Sequence, residues 1–212
     1  MSIRRGGETH ILKNLSVIER GITLIFILLP TLLADVMHKL EHATTTWGNV
    51  SVYHLDELFN SNRSAFARLL RQCLLIERNT PCSLFMFLSP QFLINHRDAL
   101  DVFVSCAHER TLQLIAMDET HIHVQHRTSF RNDILALRVE FFSRVLGNLP
   151  ADQRPRLITL SLIFPTAYLW LLSNLLTVDF TIDNCILRGS PSDFSQWEIK
   201  MKFCVGRTPR LP

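Results

Sequence analysis

Short apolar runs recur along the chain, and polar or turn-forming residues bound each of them. The runs are rich in β-branched and aromatic side chains, as in strands that are buried on both faces of a parallel sheet. On this basis we predict strands at Ile22–Leu28, Val50–His54, Ser83–Leu88, Leu112–Met117 and Leu157–Ile163.

The segments between these runs have apolar residues at helical spacing. They predict helices at Leu32–Glu41, Ser64–Ile76, Asp98–His108, Asn132–Leu146 and Thr166–Leu176. In the fourth helix the predicted apolar face consists of Leu135, Val139, Phe142 and Leu146. Alternating strands and helices predict an α/β fold, a doubly wound and mostly parallel sheet with helices on both faces.

Two longer apolar stretches invite comparison with a membrane span, which needs about 20 uninterrupted apolar residues. Ile22–Ala34 is too short and contains Pro30, and polar residues and Pro165 interrupt Leu157–Val178. A strand followed by a helix accounts better for both stretches. No membrane partner is predicted, and a small membrane protein is the weakest alternative.

Composition is that of a globular protein, since 47% of the 212 residues are hydrophobic and 19% are charged. The net charge of +3 is too small to predict a nucleic-acid partner from bulk electrostatics. The 5 cysteines include no C-x-x-C pair, which excludes a zinc ribbon and favours a reducing, intracellular compartment. We expect one domain over residues 1–188 and a tail over 189–212.

The strand Leu112–Met117 runs directly into Asp118, Glu119, Thr120 and His121. An apolar strand that ends in two carboxylates has the form of a Walker B motif of the D-E-x-H type. In that motif the Asp holds a nucleotide-bound Mg²⁺ through water, and the Glu orients and deprotonates the attacking water. A solvated strand end without chemistry is the alternative interpretation.

The residues that follow resemble the motif II region of RecQ-family DNA helicases, where D-E-A-H precedes an aromatic-rich loop that ends in Phe-Arg. Gln125, Phe130 and Arg131 match this loop, and His126 stands where the family has Trp. The resemblance implies that His121 couples the nucleotide to motif III. It also implies that Gln125, His126, Phe130 and Arg131 sense single-stranded DNA, with stacking by His126.

Three other segments resemble the same family in the same order. Ile25–Asp35 is similar to motif Ia, and Arg156–Pro165 is similar to the strand that carries motif III. Phe87–Gln91 resembles the S-P-E segment, which implies that Ser89 and Pro90 contact the nucleic-acid backbone. Together these matches imply the first RecA-like domain of a superfamily 2, ATP-dependent 3′–5′ DNA helicase with Mg²⁺-ATP as its cofactor. The resemblance also implies single-stranded or duplex DNA as the partner and, in a eukaryote, a nuclear location.

The expected nucleotide loop departs from this pattern. Gly6, Gly7, Glu8 and Thr9 lie where motif I is expected, with Thr9 as a Mg²⁺ ligand, but Glu8 occupies the position of the phosphate-binding Lys. A carboxylate about 4 Å from a phosphate oxygen costs about 4 kcal/mol at an effective dielectric near 20. Weak ATP binding is therefore expected, and a flexible N-terminal turn is the alternative interpretation of the two glycines.

The resemblance also implies a second RecA-like lobe, because hydrolysis in this class uses an arginine supplied across an interdomain cleft, and the sequence leaves open whether another chain supplies that lobe. An isolated lobe is expected not to unwind DNA. The alternative function is a non-catalytic nucleic-acid- or protein-binding module derived from a helicase. A metal site at His121, His123 and His126 is not predicted, because their spacing places them on no single helix face.

Overall fold

A five-stranded sheet forms the centre of the protein, and all of its strand pairs are parallel. The computed structural model describes residues 20–27, 33, 37, 50–78, 82–118, 120, 132–160 and 169–178. The strands are β1 (Gly21–Phe26), β2 (Val50–His54), β3 (Ser83–Leu88), β4 (Leu112–Met117) and β5 (Arg156–Thr159). Their order is β2-β3-β1-β4-β5, which confirms the predicted open α/β sheet.

Three of the strands have the predicted bounds, and the other two differ at their ends. β1 begins one residue earlier and ends at Phe26, and β5 ends at Thr159. Residues 161–163 of the predicted fifth strand lie outside the described residues.

Helices connect the strands. They are α1 (Leu55–Ser61), α2 (Arg63–Leu75), α3 (Pro90–Asn95), α4 (Arg97–His108), α5 (Asn132–Leu137) and α6 (Leu169–Leu176). Leu33 and Met37 are also helical, as the prediction for Leu32–Glu41 requires. The two short helices α1 and α3 were not predicted. None of the helices in the described part of the chain is long and apolar enough to cross a bilayer.

The predicted apolar face of the fourth helix is wrong in its first half. α5 continues as a π-helix over Arg138–Gly147, in which hydrogen bonds join residues five apart. Leu135 in α5 and Val139 in the π-helix are both exposed. The buried residues are Leu137, Phe141, Phe142, Val145 and Leu146.

The direction of each connection decides which face of the sheet its helix covers. The chain moves in one direction across the sheet from β2 to β3, from β3 to β4 and from β4 to β5, and in the other from β1 to β2. Crossovers between parallel strands are right-handed. The connections that follow β2, β3 and β4 therefore lie on one face of the sheet, and the connection from β1 to β2 lies on the opposite face.

The buried side chains form one cluster on each face, as this topology requires. The larger cluster joins the strand residues Leu24, Phe26 and Met86 to the helices α2 and α4 and the π-helix. Phe26 packs against Phe141 and Phe142 with edge-to-face geometry and centroid distances of 6.1 and 5.7 Å. The smaller cluster includes Ile25, Phe85, Phe87 and the helical Leu33.

Glycine is required at the start of β1. Gly21 has a φ of +110°, and a Cβ there would lie 2.6 Å from the carbonyl oxygen of Thr111. The main-chain N–H of Gly21 donates to Cys82, and that of Ile22 donates to Thr111. This close approach fixes the entry of the central strand between its two neighbours.

Candidate functional site at the carboxyl edge of the sheet

The topological switch point of the sheet lies at the carboxyl ends of β1 and β4. The chain leaves β1 toward β2 at one edge of the sheet and leaves β4 toward β5 at the other edge. The connections from these two neighbouring strands therefore diverge, and an open α/β sheet binds ligands at such a switch point. Asp118, the residue that follows β4, lies at this position.

The turn that carries Asp118 is tied to both neighbouring strands. The main-chain N–H of Asp118 donates to the carbonyl oxygen of Phe26 at 3.0 Å, and the N–H of Leu160 donates to the carbonyl oxygen of Met117 at 2.8 Å. Thr120 is fully buried, and its N–H donates to Leu160 at 2.9 Å while its hydroxyl donates to Met117 at 3.1 Å. These bonds hold the half-buried Asp118 at the edge of the sheet.

Sequence reasoning treated Thr120 as the unspecified position of D-E-x-H, and the structure gives it a positioning role. Its signal in the sequence is weak, because one threonine after a strand is common. The burial of its whole side chain becomes apparent only when β5 is placed beside β4.

A second polar group follows β3. Ser89 donates from its main-chain N–H to Asp56 Oδ2 at 3.0 Å and from its hydroxyl to Asp56 Oδ1 at 2.6 Å. The Ser89 hydroxyl also accepts the N–H of Phe92 at 3.1 Å and so caps α3. Asp56 thereby fixes the junction between β3 and α3.

Pro90 occupies the first position of α3 and is buried. Its missing N–H is not needed there, because the first N–H groups of a helix have no partner within the helix. The predicted contacts of Ser89 and Pro90 with nucleic acid stay predictions. The contacts of the Ser89 hydroxyl and the burial of Pro90 stabilise the fold.

His54, at the end of β2, extends this polar group. Its Nδ1 lies 3.3 Å from Glu57 Oε2, and its Nε2 lies 3.8 Å from Asp56 Oδ2. Sequence reasoning missed Asp56, although a carboxylate just beyond a predicted strand is a visible signal. Its partner Ser89 lies 33 residues away, so the pairing itself depends on the sheet order.

The strand order also separates Ser89 from Asp118. β1 lies between β3 and β4, and two strand spacings amount to about 10 Å. A ligand that reaches both residues must be longer than a single phosphate group. A nucleotide or a stretch of nucleic-acid backbone has that length.

The other predicted site residues lie outside the described residues. They are the loop residues Gly6, Gly7, Glu8 and Thr9, and Glu119, His121, Gln125, His126, Phe130 and Arg131. Of the predicted catalytic, metal and nucleic-acid residues, the structure thus describes Asp118, Ser89 and Pro90. It places all three after strands that end at the same edge of the sheet.

The described residues at this edge differ from those of a metal site built by the protein alone. Among the described residues there is no group of three His, Cys, Asp or Glu side chains that could hold a metal ion. Mg²⁺ that arrives with a nucleotide needs fewer protein ligands, because phosphates and water complete its coordination. The single carboxylate of Asp118 fits that mode of binding.

The cysteines of the described part take no part in this edge. Cys73, Cys82 and Cys106 are free thiols, and Cys73 and Cys106 are buried, as expected for thiols without a nucleophile signature. Burial raises the pKa of the Cys73 and Cys106 thiols above its ordinary value, which disfavours the reactive thiolate.

In comparisons with known proteins, no protein-family model matches the chain, and no curated protein matches it significantly.

Proposed function

We propose that this chain is a helicase-type, ATP-binding lobe of the RecQ-like D-E-x-H class, with a weakened nucleotide site and a surface for DNA. The observation that carries the proposal is the position of Asp118. It follows a buried strand at the switch point of a parallel sheet, where ligands of α/β proteins bind.

In this function Asp118, through water, and Thr9 would hold nucleotide-bound Mg²⁺. The bound ion would supply positive charge against the phosphates. Glu119 accepts a proton from the attacking water, and His121 links this group to the strand that carries motif III. The ties of the Asp118 turn to β1 and β5 support the proposal, because they fix the carboxylate relative to both neighbours.

The nucleotide site is proposed to be weak because Glu8 opposes the phosphates. Hydrolysis also draws on an arginine from a second lobe, which stabilises charge that develops in the transition state. The lobe is therefore expected to bind ATP poorly and not to unwind DNA alone. Its contact with single-stranded DNA is assigned to Gln125, His126, Phe130 and Arg131, with Ser89 and Pro90 farther along the edge.

Calorimetric titration with Mg²⁺-ATP tests the nucleotide site. We expect Glu8→Lys to tighten binding at least tenfold, because it replaces a repulsive charge with an attractive one. Asp118→Asn should weaken the binding that depends on Mg²⁺. Asp152→Asn is the matched control, because its carboxylate is 73% exposed and pairs with Arg110 on a distant loop. Equal affinities of the wild type, Glu8→Lys and Asp118→Asn would refute the nucleotide site.

A binding titration with a labelled single strand tests the DNA surface. We expect the triple variant His126→Ala, Phe130→Ala and Arg131→Ala to lose at least tenfold in affinity, since stacking contributes about 1–3 kcal/mol per base. Unchanged affinity would place the single strand elsewhere.

A non-catalytic binding module is the second candidate, and Glu8 at the position of the phosphate-binding Lys favours it. Under that function, Glu8→Lys restores no nucleotide affinity, while the triple variant still loses single-strand binding. The two titrations together therefore distinguish the candidates.

A further inference from the structure

The outer face of α2 carries several arginines. Arg63, Arg68 and Arg71 are exposed, and the helix contains no Asp or Glu. Glu77 and Arg78 follow just beyond the end of the helix, and both are exposed. In the part of the chain that the structure describes, none of these four guanidinium groups forms an ion pair.

Arginines on the neighbouring elements are used differently. Arg97 pairs with Glu140 at 2.6 Å, and Arg144 pairs with Asp101 at 3.0 Å. Arg154 donates to the carbonyl oxygens of Leu149 and Gly147 at 2.7 and 3.2 Å. The positive field of α2 is therefore concentrated on one surface, although the whole chain has a net charge of only +3.

The packing of α2 fixes which side faces outward. Phe66, Leu69, Leu70 and Cys73 are buried in the larger core cluster. Arg68 and Arg71 are three residues apart, so they are neighbours on the opposite, exposed side. Asn62 caps the helix by accepting the N–H of Ala65 at 3.0 Å, which holds its first turn in place.

The same exposed side carries Gln72, which lies one turn after Arg68. Arginine and glutamine side chains are typical donors to phosphate oxygens. The helix is about 20 Å long, enough to follow several phosphates of a duplex. These donors stand along a rigid, well-packed element.

The aromatic residue of α2 is Phe66, which is buried. The exposed side of α2 therefore has no ring on which an unpaired base can stack, and stacking is the main source of affinity for single strands. We propose that the α2 face, comprising Arg68, Arg71 and Arg78 with Gln72, binds the phosphate backbone of a double-stranded nucleic acid without sequence preference.

Two leucines at the end of α2 raise the alternative of an apolar partner. Leu74 and Leu75 are 54% and 80% exposed. They occupy only the last turn, whereas the cationic residues extend along the helix and beyond it to Arg78. Charge complementarity along the whole face thus favours a polyanion over an apolar protein surface or a lipid bilayer.

This inference does not depend on the proposed nucleotide site. α2 belongs to the connection between β2 and β3 and packs on one face of the sheet, whereas Asp118 follows β4 at the switch point. Loss of one function by mutation should leave the other intact.

Fluorescence anisotropy with a labelled 20-base-pair duplex at several salt concentrations tests the proposal. We expect micromolar binding by the wild type, as is usual for sequence-independent contacts. The double variant Arg68→Glu and Arg71→Glu should lose at least tenfold at low salt. The slope of log K against log salt should become shallower by about 2, since each phosphate contact contributes about 0.9.

The control is the double variant Arg138→Glu and Arg156→Glu, which changes the net charge by the same amount at exposed positions on the π-helix and on β5, the edge strand opposite β2. It should bind the duplex within twofold of the wild type, and circular dichroism should show that both variants are folded. An equal loss in the two double variants would overturn the proposal, because it would indicate bulk charge alone.

Replacing Leu74 and Leu75 distinguishes a nucleic-acid partner from an apolar partner. Leu74→Ser with Leu75→Ser should leave duplex binding within twofold of the wild type. A greater loss than in the arginine variant would overturn the proposal in favour of an apolar partner. Wild-type binding to phosphatidylserine vesicles but not to the duplex would assign the face to a lipid surface and would also overturn it.

Discussion

The carboxyl ends of β3 and β4 lie at the same edge of one sheet, but their polar residues are used in different ways. After β3, both oxygens of Asp56 accept hydrogen bonds from Ser89, and Ser89 in turn caps α3. After β4, the main chain of Asp118 and the two polar groups of Thr120 tie the turn to its neighbours. The end of β3 is fixed by bonds to the side-chain carboxylate of Asp56, and the end of β4 is tied by main-chain groups and Thr120.

This difference distinguishes a structural carboxylate from a candidate for chemistry. Asp56 has two specific bonds to lose, so its replacement should weaken the fold. The bonds that tie the Asp118 turn to its neighbours through main-chain groups and Thr120 remain when the carboxylate is replaced, so we expect that replacement to act mainly on a ligand. We therefore expect replacement of Asp56 to lower the stability of the fold and replacement of Asp118 to weaken ligand binding.

The largest effect on stability is expected at Phe26, the last residue of β1, which lies between β3 and β4. This side chain is fully buried against Phe141 and Phe142, so Phe26→Ala should leave a cavity and lower the free energy of unfolding by about 3–5 kcal/mol. Urea denaturation measures the loss. Leu75→Ala is the control, because a side chain that is 80% exposed should contribute less than about 0.5 kcal/mol.

Asp56 should give the next largest effect. Asp56→Ala removes the acceptor for two donors of Ser89 in a half-buried site, and we expect a loss of about 2–3 kcal/mol in urea denaturation. Asp152→Ala, at an exposed position, should cost under about 1 kcal/mol. In a cycle with Ser89→Ala, additive effects of the two changes would show that the pair is not coupled.

The pairing of Asp56 with Ser89 could not be predicted from the sequence. The bounds of β2, β3 and β4 follow from local apolar runs alone, and the structure confirms them. The partnership of Asp56 and Ser89 depends on β2 and β3 becoming neighbours, which no local pattern specifies. Asp118 was found from the sequence because its signal, a carboxylate directly after an apolar strand, is local.

Periodicity also has a limit in the helices. α1 and α3 are too short for a helical repeat to stand out, and both were missed. The apolar face around Val139 was wrong because a 3.6-residue period was assumed where the chain forms a π-helix. The side chains of Phe141 and Val145, which the assumed period leaves off the apolar face, are buried in the core.

Asp118→Asn should have a smaller effect on stability than Asp56→Ala. We expect a change under about 1 kcal/mol in urea denaturation, because the bonds from Thr120 and the main chain remain. The same variant should weaken Mg²⁺-ATP binding. A loss of stability as large as that of Asp56→Ala would remove the contrast between the two strand ends and make Asp118 structural.

The smallest effect is expected where a carboxylate pairs in solvent, between Arg97 and Glu140 on the outer helices. Arg97 donates two hydrogen bonds to Glu140, which lowers the pKa of this carboxyl below its ordinary value. A carboxyl whose pKa is lower in the folded state contributes stability above the pKa of the unfolded chain, and this contribution is lost as the pH falls through the folded-state pKa. The difference in unfolding free energy between the wild type and Glu140→Gln should therefore be constant from pH 7 to about pH 5 and should shrink below the ordinary glutamate pKa of about 4.3. Glu109→Gln is the control, because Glu109 is exposed and forms no ion pair among the described residues. If the Glu140→Gln difference stayed constant down to pH 3, the ion pair would not be its source, and side-chain packing would have to explain it.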